Sequence, residues 1–256
     1  MKDIDLKLIH AAEQGRFGEV RVLVAHGADL NARDDYGITP LMHASINGYI
    51  EIARFLVWKG ADIFARDDKK RTALLCATQE SDLEIMRLLI ANGAVVNAAD
   101  EAGYTPLMAA GHRCSLNAAK LLLNNGADIN ARDIDGNSVL MWAAGRGRIL
   151  GPTILVPGGE DASLAGISGP PPSRKPFNEC LEVVKFLVDH GADISTRNYD
   201  GHTAIVIARE NGFRENAEYL ASVEASHRIA REMGQALERL KRGVPAKHRT
   251  NRQMVQ

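Results

Sequence analysis

The feature that most constrains the fold is an internal repeat with a period of about 33 residues. The dipeptide Gly-Ala returns at equal steps with its glycines at Gly27, Gly60, Gly93 and Gly126, and again almost two periods later at Gly191. A second column precedes these glycines at a constant distance: Leu6, Thr39, Thr72, Thr105 and Ser138. Thr203 continues this column after the same lengthened step. Because both columns keep one period and lengthen it at the same place, they indicate an array of similar structural units.

Each column has a structural role in a pair of helices. A Thr or Ser hydroxyl at a helix start accepts a hydrogen bond from an amide of the first turn. Pro40 and Pro106 follow two of these residues, at a position where a missing N–H costs little. A small residue comes five positions after each member of the column: Ala11, Ala44, Ala77, Ala110, Ala143 and Ala208. A second helix follows and ends at the glycine in a left-handed conformation. The pattern predicts an all-α fold.

The repeated motifs resemble those of ankyrin repeats. Gly-Ile-Thr-Pro-Leu-Met-His-Ala at 37–44 and Gly-Tyr-Thr-Pro-Leu-Met-Ala-Ala at 103–110 are similar to the Thr-Pro-Leu-His motif of that family. The resemblance covers about residues 3–223 and implies a solenoid of about six helix-turn-helix units. The chain departs from the family pattern at Phe64, where Asn is usual, and at Lys70, where a turn glycine is usual. These departures affect loop geometry and leave the repeat intact.

We expect two regions, an ankyrin array over residues 1–223 and a C-terminal segment over 224–256. The six repeats begin near residues 3, 34, 67, 100, 133 and 198. The fifth carries an insertion at about 147–177, rich in Pro and Gly, which we interpret as a mobile loop. This insertion is either a tolerated surface loop or a partner-contacting one. The C-terminal segment has a net charge of +5 and is predicted to form an amphipathic helix over 226–241, capping repeat 6, followed by a disordered basic tail.

The sequence carries no motif of an enzyme or of a metal site. Its His and Cys spacings do not match zinc sites, and neither a nucleophile elbow nor a phosphate-binding loop occurs. Acidic pairs such as Asp34 and Asp35 recur with the repeat, so we expect them in exposed turns. His10 and His43 share one position of the repeat and are predicted to be packed residues of the first helix. We therefore expect no catalytic activity and no cofactor.

Charge and cysteine content favour a soluble cytoplasmic chain. The 31 Lys+Arg and 32 Asp+Glu residues nearly cancel, so nucleic acid is not an expected partner. No apolar run approaches the roughly 18 residues of a membrane span, and the N-terminus has no signal-like apolar segment. Cys76, Cys114 and Cys180 are odd in number and scattered, which argues against a disulfide framework. We expect a monomer in a reducing compartment.

The resemblance to ankyrin repeats implies binding of another protein through the concave face. By concave face we mean the surface formed by the turn tips and the exposed side of the first helix of each repeat. Residues on it vary between repeats, whereas cap and core positions change little. The predicted protein-binding residues are Tyr36, Lys69, Arg71, Tyr104, His112, Arg113, Asn137, Arg146, Tyr199 and His202. Trp142 falls in a core column and is predicted to pack inside the protein.

Other functions stay open at this point. The same surface could serve a secreted effector or inhibitor. The basic C-terminal tail could attach the chain to nucleic acid or to an anionic membrane, although it lacks the interleaved aromatic residues that stack on bases. An enzymatic site built around the insertion has no motif to support it.

Overall fold

The computed structural model of the protein describes residues 2–145 and 178–243. The predicted insertion at 147–177, Arg146 and the tail beyond residue 243 lie outside the described residues. The chain divides into two compact parts, Met1–Ala217 and Glu218–Gln256. We call them the array part and the C-terminal part and describe each by itself.

The described residues form twelve helices, as expected for an all-α chain. Their order is α1 (Asp3–Glu13), α2 (Phe17–Ala25), α3 (Pro40–Ile46), α4 (Ile50–Trp58), α5 (Ala73–Gln79), α6 (Leu83–Ala91), α7 (Pro106–His112), α8 (Leu116–Asn124), α9 (Val139–Gly145), α10 (Asn178–Asp189), α11 (Ala204–Glu210) and α12 (Arg214–Gly243). The odd-numbered helices pack side by side in one row, and the even-numbered helices α2 to α10 pack in a second row. The predicted fold class is therefore confirmed.

The predicted cap column starts most of the inner, odd-numbered helices. The hydroxyls of Thr39, Thr72 and Thr105 each accept a hydrogen bond of 3.3 Å from the amide three residues later. Ser138 does the same at 3.4 Å. Thr203 has the extended backbone of a cap, but its side chain accepts no such bond. The small alanine column is wholly buried in all six repeats, so the inner helices can lie close together.

Adjacent repeats are also joined through their loops. The side-chain oxygens of Asn31, Asn97 and Asn130 accept backbone amides of the following repeat at 2.8 to 3.0 Å. Phe64 takes the equivalent position in repeat 2 and has no oxygen to accept this bond. Its side chain is 57% exposed. The departure from the family pattern at Phe64 thus removes one link between repeats 2 and 3.

Two cysteines are paired, contrary to the expectation of unpaired thiols. Cys114 and Cys180 form a disulfide, with their Cα atoms 4.6 Å apart, and Cys76 is free and buried. Cys114 lies in the turn after α7 and Cys180 lies in α10, so the bond connects repeats 4 and 5. The prediction failed because stacking brings together cysteines that are 66 residues apart. The cysteines therefore no longer support a reducing compartment for the protein.

The last helix is longer than predicted. α12 is continuous from Arg214 to Gly243, so the expected break between repeat 6 and a separate helix near residue 226 is wrong. Gly234 is the one glycine inside this helix, whose last residue is Gly243, and an interior glycine costs a helix only about 1 kcal/mol. In the C-terminal part, Ile229, Met233 and Leu237 lie at helical spacing and are exposed. The capping of repeat 6 by this part stays a prediction.

Candidate protein-binding surface

Each repeat after the first opens with a turn held by one acidic or amide side chain. The column that provides it consists of Asp34, Asp67, Asp100, Asp133 and Asn198. In all five, Oδ1 accepts the backbone N–H four residues later, at 2.7 to 2.9 Å. The first member of each predicted acidic pair therefore fixes the turn. The pairs were expected in exposed turns, but Asp67 is buried and Asp34 and Asp100 are half-buried.

The turn tips form a continuous row. The backbone N–H of Asp68 donates to the carbonyl of Tyr36 in the preceding tip, at 3.1 Å. The same link recurs along the array at 2.9 Å from Glu101 to Lys69, at 2.9 Å from Ile134 to Ala102, and at 3.0 Å from Tyr199 to Asp135. Tyr36 and Tyr199 are exposed and Lys69 is half-buried. These three predicted residues thus lie on one ordered edge of the molecule.

Asn137 is not available to a partner, and its prediction as a binding residue is wrong. Its side chain is fully buried. Its amide nitrogen donates to Asp133 at 3.1 Å, and its oxygen accepts from Asn198 at 2.9 Å. The side chain therefore bridges the turns of repeats 5 and 6. The contact with Asn198 spans 61 residues of sequence, so the repeat pattern alone gives no signal for it.

Arg71 and His202 occupy the same position of the repeat as Asn137, but their side chains are partly exposed to solvent. Arg71 Nε donates to Asp67 Oδ2 at 2.7 Å, and its side chain is 25% exposed. His202 lies 3.8 Å from Glu210, and its side chain is 41% exposed. Arg71 is thus anchored by an ion pair within its own repeat, which fixes the direction of its guanidinium.

Three aromatic rings cluster between the inner helices of repeats 4 and 5. The Tyr104 and Trp142 rings pack edge-to-face with centroids 4.8 Å apart, and the His112 ring lies 5.5 Å from Trp142. Tyr104 Oη lies 3.0 Å from His112 Nδ1. All three residues are half-buried, so Tyr104 is less exposed than predicted, and Trp142 is not a core residue. We call these three side chains the aromatic cluster.

The hydrogen bond of Trp142 could have been predicted from the equivalent residue of another repeat. His43 occupies the same position in repeat 2, and its Nε2 lies 2.9 Å from Asp34 Oδ2, nine residues earlier. Trp142 Nε1 donates in the same way to Asp133 Oδ2, at 2.9 Å. His43 is buried as predicted, but His10 is exposed. In repeat 1 the residue nine positions earlier is Met1 instead of aspartate, so the histidine has no such partner.

Arg113 connects repeats 3 and 4 on this surface. Its Nε donates to the carbonyl of Gln79, and its Nη2 lies 3.4 Å from Glu80. Burial raises the pKa of Glu80, and the Arg113 charge opposes that rise. Arg113 is half-buried, so only part of its guanidinium faces solvent. Arg146, the remaining predicted binding residue, lies outside the described residues.

Burial and neighbouring charges raise the pKa of several groups in repeats 4 and 5. Burial raises the pKa of Asp100. Burial also raises the pKa of Asp135, and the like charges of Asp133 and Asp200 add to that rise. Burial raises the pKa of Tyr104 as well, with a further contribution from Asp100. Asp100 is thus an electrostatic neighbour of Tyr104, and Asp135 is a neighbour of Asp133 and Asp200.

Two other kinds of site are absent from the described parts of the chain. Within residues 2–145 and 178–243, no group of three or more His, Cys, Asp and Glu side chains is arranged to hold a metal ion. None of the helices in these ranges combines the length and apolarity needed to cross a membrane.

The family of the chain follows from its repeats. The family model for ankyrin repeats, which contains three copies, matches residues 6–67 and 56–133. These matches together cover residues 6–133, half of the chain, so the protein belongs to the ankyrin-repeat family. No curated protein matches the sequence. Ankyrin repeats generally mediate protein–protein interaction and are typically non-enzymatic.

Proposed function

We propose that the protein binds a partner protein through the concave face of repeats 2 to 6. The row of turn tips, joined by backbone hydrogen bonds, is the observation that carries this proposal. It holds side chains of successive repeats at fixed spacing, which a partner surface can match without a large ordering cost. Exposed Tyr36 and Tyr199 lie on this row, and tyrosine is among the residues that most often dominate interface energy.

The proposed contact residues differ from the sequence prediction in two places. Trp142 joins the set because it is half-buried beside Tyr104, and Asn137 leaves it because it is buried. The set within the described residues is Tyr36, Lys69, Arg71, Tyr104, His112, Arg113, Trp142, Tyr199 and His202.

An affinity pull-down with chemical crosslinking tests this function. We expect crosslinks on the turn tips, and we expect the Tyr36→Ala/Tyr199→Ala variant to lose the captured partner. Trp58→Ala is the matched control, because Trp58 is 73% exposed at the end of outer helix α4. Loss of the partner in the Trp58→Ala variant alone, or crosslinks confined to residues 224–256, would contradict the proposal.

The paired cysteines favour a version of this function outside the cytoplasm. Disulfides persist mainly in oxidising compartments, so an exported effector or inhibitor that uses the same surface agrees with the Cys114–Cys180 bond. Quenching producing cells with acid and then alkylating the thiols with a maleimide under denaturing conditions, followed by mass spectrometry, tests this version, because denaturation exposes the buried Cys76 thiol. We expect one alkylated cysteine, Cys76, and three modified cysteines would favour a cytoplasmic protein.

Attachment to an anionic surface is a second candidate function. It is supported by the exposed stripe of Ile229, Met233 and Leu237 and by the net charge of +5 over residues 224–256. Cosedimentation with phosphatidylserine vesicles tests it, and binding should weaken as salt rises. Met233→Asp should abolish binding, whereas Ser226→Asp, which adds the same charge at another exposed position, should only weaken it. Equal losses in both variants would contradict insertion of the stripe.

A further inference from the structure

One aspartate of the turn column differs from the others in its second carboxylate oxygen. Oδ2 of Asp34, Asp67 and Asp133 each has a side-chain nitrogen within 2.9 Å, from His43, Arg71 and Trp142 in turn. Oδ2 of Asp100 has no hydrogen-bond donor among the described residues. The two positions that supply donors elsewhere hold Ala109 and Tyr104 in repeat 4. Ala109 has no donor, and the Tyr104 hydroxyl is engaged with His112.

Tyr104 of the aromatic cluster is a direct neighbour of this carboxylate. Tyr104 is tied to Asp100 through the backbone N–H bond to Oδ1, at 2.9 Å. Trp142 packs on Tyr104 and is bound to Asp133. The rings are held by these contacts before any partner arrives, so little side-chain entropy is lost on binding. Half-buried Tyr104 and Trp142 rings next to a carboxylate form a surface that suits a flat cation.

The local charge agrees with a cationic ligand. The turns of repeats 4 and 5 contain four carboxylates: Asp100, Glu101, Asp133 and Asp135. Their one cationic side chain is Arg132, which donates to backbone carbonyls of Gly136 and Arg197. The neighbouring guanidiniums of Arg71 and Arg113 are paired with Asp67 and Glu80. The Arg71 charge also lowers the pKa of Asp100. With each ion pair counted as neutral, the turns of repeats 4 and 5 still carry an excess of negative charge, which an added positive charge would meet.

We propose that Asp100, Tyr104 and Trp142 form a subsite that receives an arginine side chain of the partner protein. The guanidinium donates to Asp100 Oδ2 and stacks against the aromatic cluster. Arginine fits better than lysine because its planar group can make both contacts at once. The inference rests on the proposed function, since it specifies which partner chemistry the concave face recognises.

The Asp100→Asn variant removes the charge without disturbing the turn. Asn198 holds the corresponding turn of repeat 6 by accepting the His202 N–H through its own Oδ1, so an amide at this position of the repeat is compatible with the fold. Asp189→Asn is the matched control, because it makes the same charge change at an exposed position of outer helix α10, away from the turn tips. Circular dichroism should show both variants folded like the wild type.

The probe is a set of peptides selected on the full chain from a random-peptide display library. The best binder is then synthesised with its arginine, with lysine, and with citrulline, a neutral analogue of arginine. Affinities are measured by fluorescence of Trp142 in a Trp58→Phe background, since the chain has two tryptophans. We expect arginine in the selected peptides. We expect citrulline, or Asp100→Asn, to weaken binding about 10- to 100-fold, as for loss of a charged hydrogen bond, and Asp189→Asn to change it little.

Two results would overturn the subsite and can be told apart. The subsite is overturned if the selection returns no arginine-containing binder. It is also overturned if the binders keep their affinity for Asp100→Asn while Tyr36→Ala or Tyr199→Ala weakens them. In both cases the proposed function still stands. Binders that tolerate all concave-face variants and require residues 224–256 overturn the proposed function, and the subsite with it.

Discussion

Residue 70 has a backbone conformation that other repeats give to glycine. Lys70 has a φ of 61°, and glycines occupy the same position in four other repeats with φ of 74° to 81°. A side chain in this left-handed region destabilises the folded state by about 1–2 kcal/mol. Glycine avoids this strain, but its more flexible unfolded state offsets about 0.5–1 kcal/mol of the gain. We expect Lys70→Gly to raise the free energy of unfolding by about 0.5–1 kcal/mol, measured by urea denaturation.

Lys69→Gly is the control for this prediction. Lys69 has no positive φ, so the same substitution there should lower the free energy of unfolding. Equal shifts of the two urea midpoints in the same direction would show that strain at Lys70 is not the cause.

Cys76 should be unreactive in the folded protein. Burial raises the pKa of its thiol to about 12, whereas the pKa of an unfolded cysteine is about 8.5. The thiol therefore stabilises the fold fully below the unfolded pKa, and this contribution is lost as pH rises towards 12. We expect alkylation by iodoacetamide at pH 8 to be much slower in buffer than in urea. We also expect the free energy of unfolding to fall above about pH 9.

The Cys76→Ala variant isolates the effect of this thiol from that of other groups that titrate at high pH. Its free energy of unfolding should fall less between pH 9 and 11 than that of the wild type. Equal alkylation rates in buffer and in urea would contradict the burial of Cys76.

Single residues that hold the backbone are predicted from sequence better than those that face a partner. The caps at Thr39 and Thr105 follow from local chemistry, because donor and acceptor are three residues apart. The burial of Asn137 depends on Asn198, which belongs to the next repeat. Only the stacked structure brings these two amides together, so a variable position was mistaken for an exposed one.

The disulfide should stabilise the contact between repeats 4 and 5. It joins the turn after α7 to α10 and closes a loop with a sequence separation of 66 residues. Cross-links of this kind typically stabilise a protein by roughly 2–4 kcal/mol, mainly by restricting the unfolded chain. We expect Cys180→Ser to lower the free energy of unfolding by roughly this amount, measured by urea denaturation without reductant.

A reducing agent provides the control. With the bond reduced, the wild type and Cys180→Ser should unfold at nearly the same urea concentration. A difference that persists in reductant would assign the loss to packing around Cys180, which is fully buried, and would contradict a stabilising bond.

Helices were predicted where their signals are local. Pro40 and Thr39 mark the start of α3, and the glycine column marks the ends of the outer helices. The sequence beyond Val223 carries no equally strong stop, and the amphipathic spacing starting at Ser226 was interpreted as a new helix. α12 instead continues through this point. A change of charge pattern, unlike a proline or a cap, does not end a helix.

At the scale of the whole array, the period predicts the fold because each repeat contacts mainly its neighbours. Ser138 and Thr203 are almost two periods apart in sequence, yet α9 and α11 pack as adjacent inner helices. The binding surface was predicted less well. Tip residues such as Tyr36 and Tyr199 are exposed as expected. Asn137 and Tyr104 are not, because contacts between neighbouring turns and rings decide how much of each variable side chain reaches solvent.

The interface between repeats 5 and 6 should be separable from the rest of the array. A Cβ added at Gly145, the last residue of α9, would clash with Ile207 Cγ2 on α11. Ile207 is branched at Cβ and has little rotamer freedom in a helix, so α9 and α11 must move apart. We expect Gly145→Ala to destabilise this interface by about 1–3 kcal/mol, as for other overpacked contacts. In an Ile207→Ala background the same change should cost less, because the clashing methyl group is gone and only Asn211 Nδ2, at 3.1 Å from the added Cβ, must still adjust.

The two tryptophans can report on the two ends of the array separately, since Trp58 lies in repeat 2 and Trp142 in repeat 5. Single-tryptophan variants, Trp142→Phe and Trp58→Phe, are each unfolded in urea with and without Gly145→Ala. Because stability in a repeat array is roughly a sum of repeat and nearest-neighbour contributions, the transition seen by Trp142 should move to lower urea. The transition seen by Trp58 should stay in place. If both transitions shift together, the array unfolds as one cooperative unit, and the interface between repeats 5 and 6 is not separable.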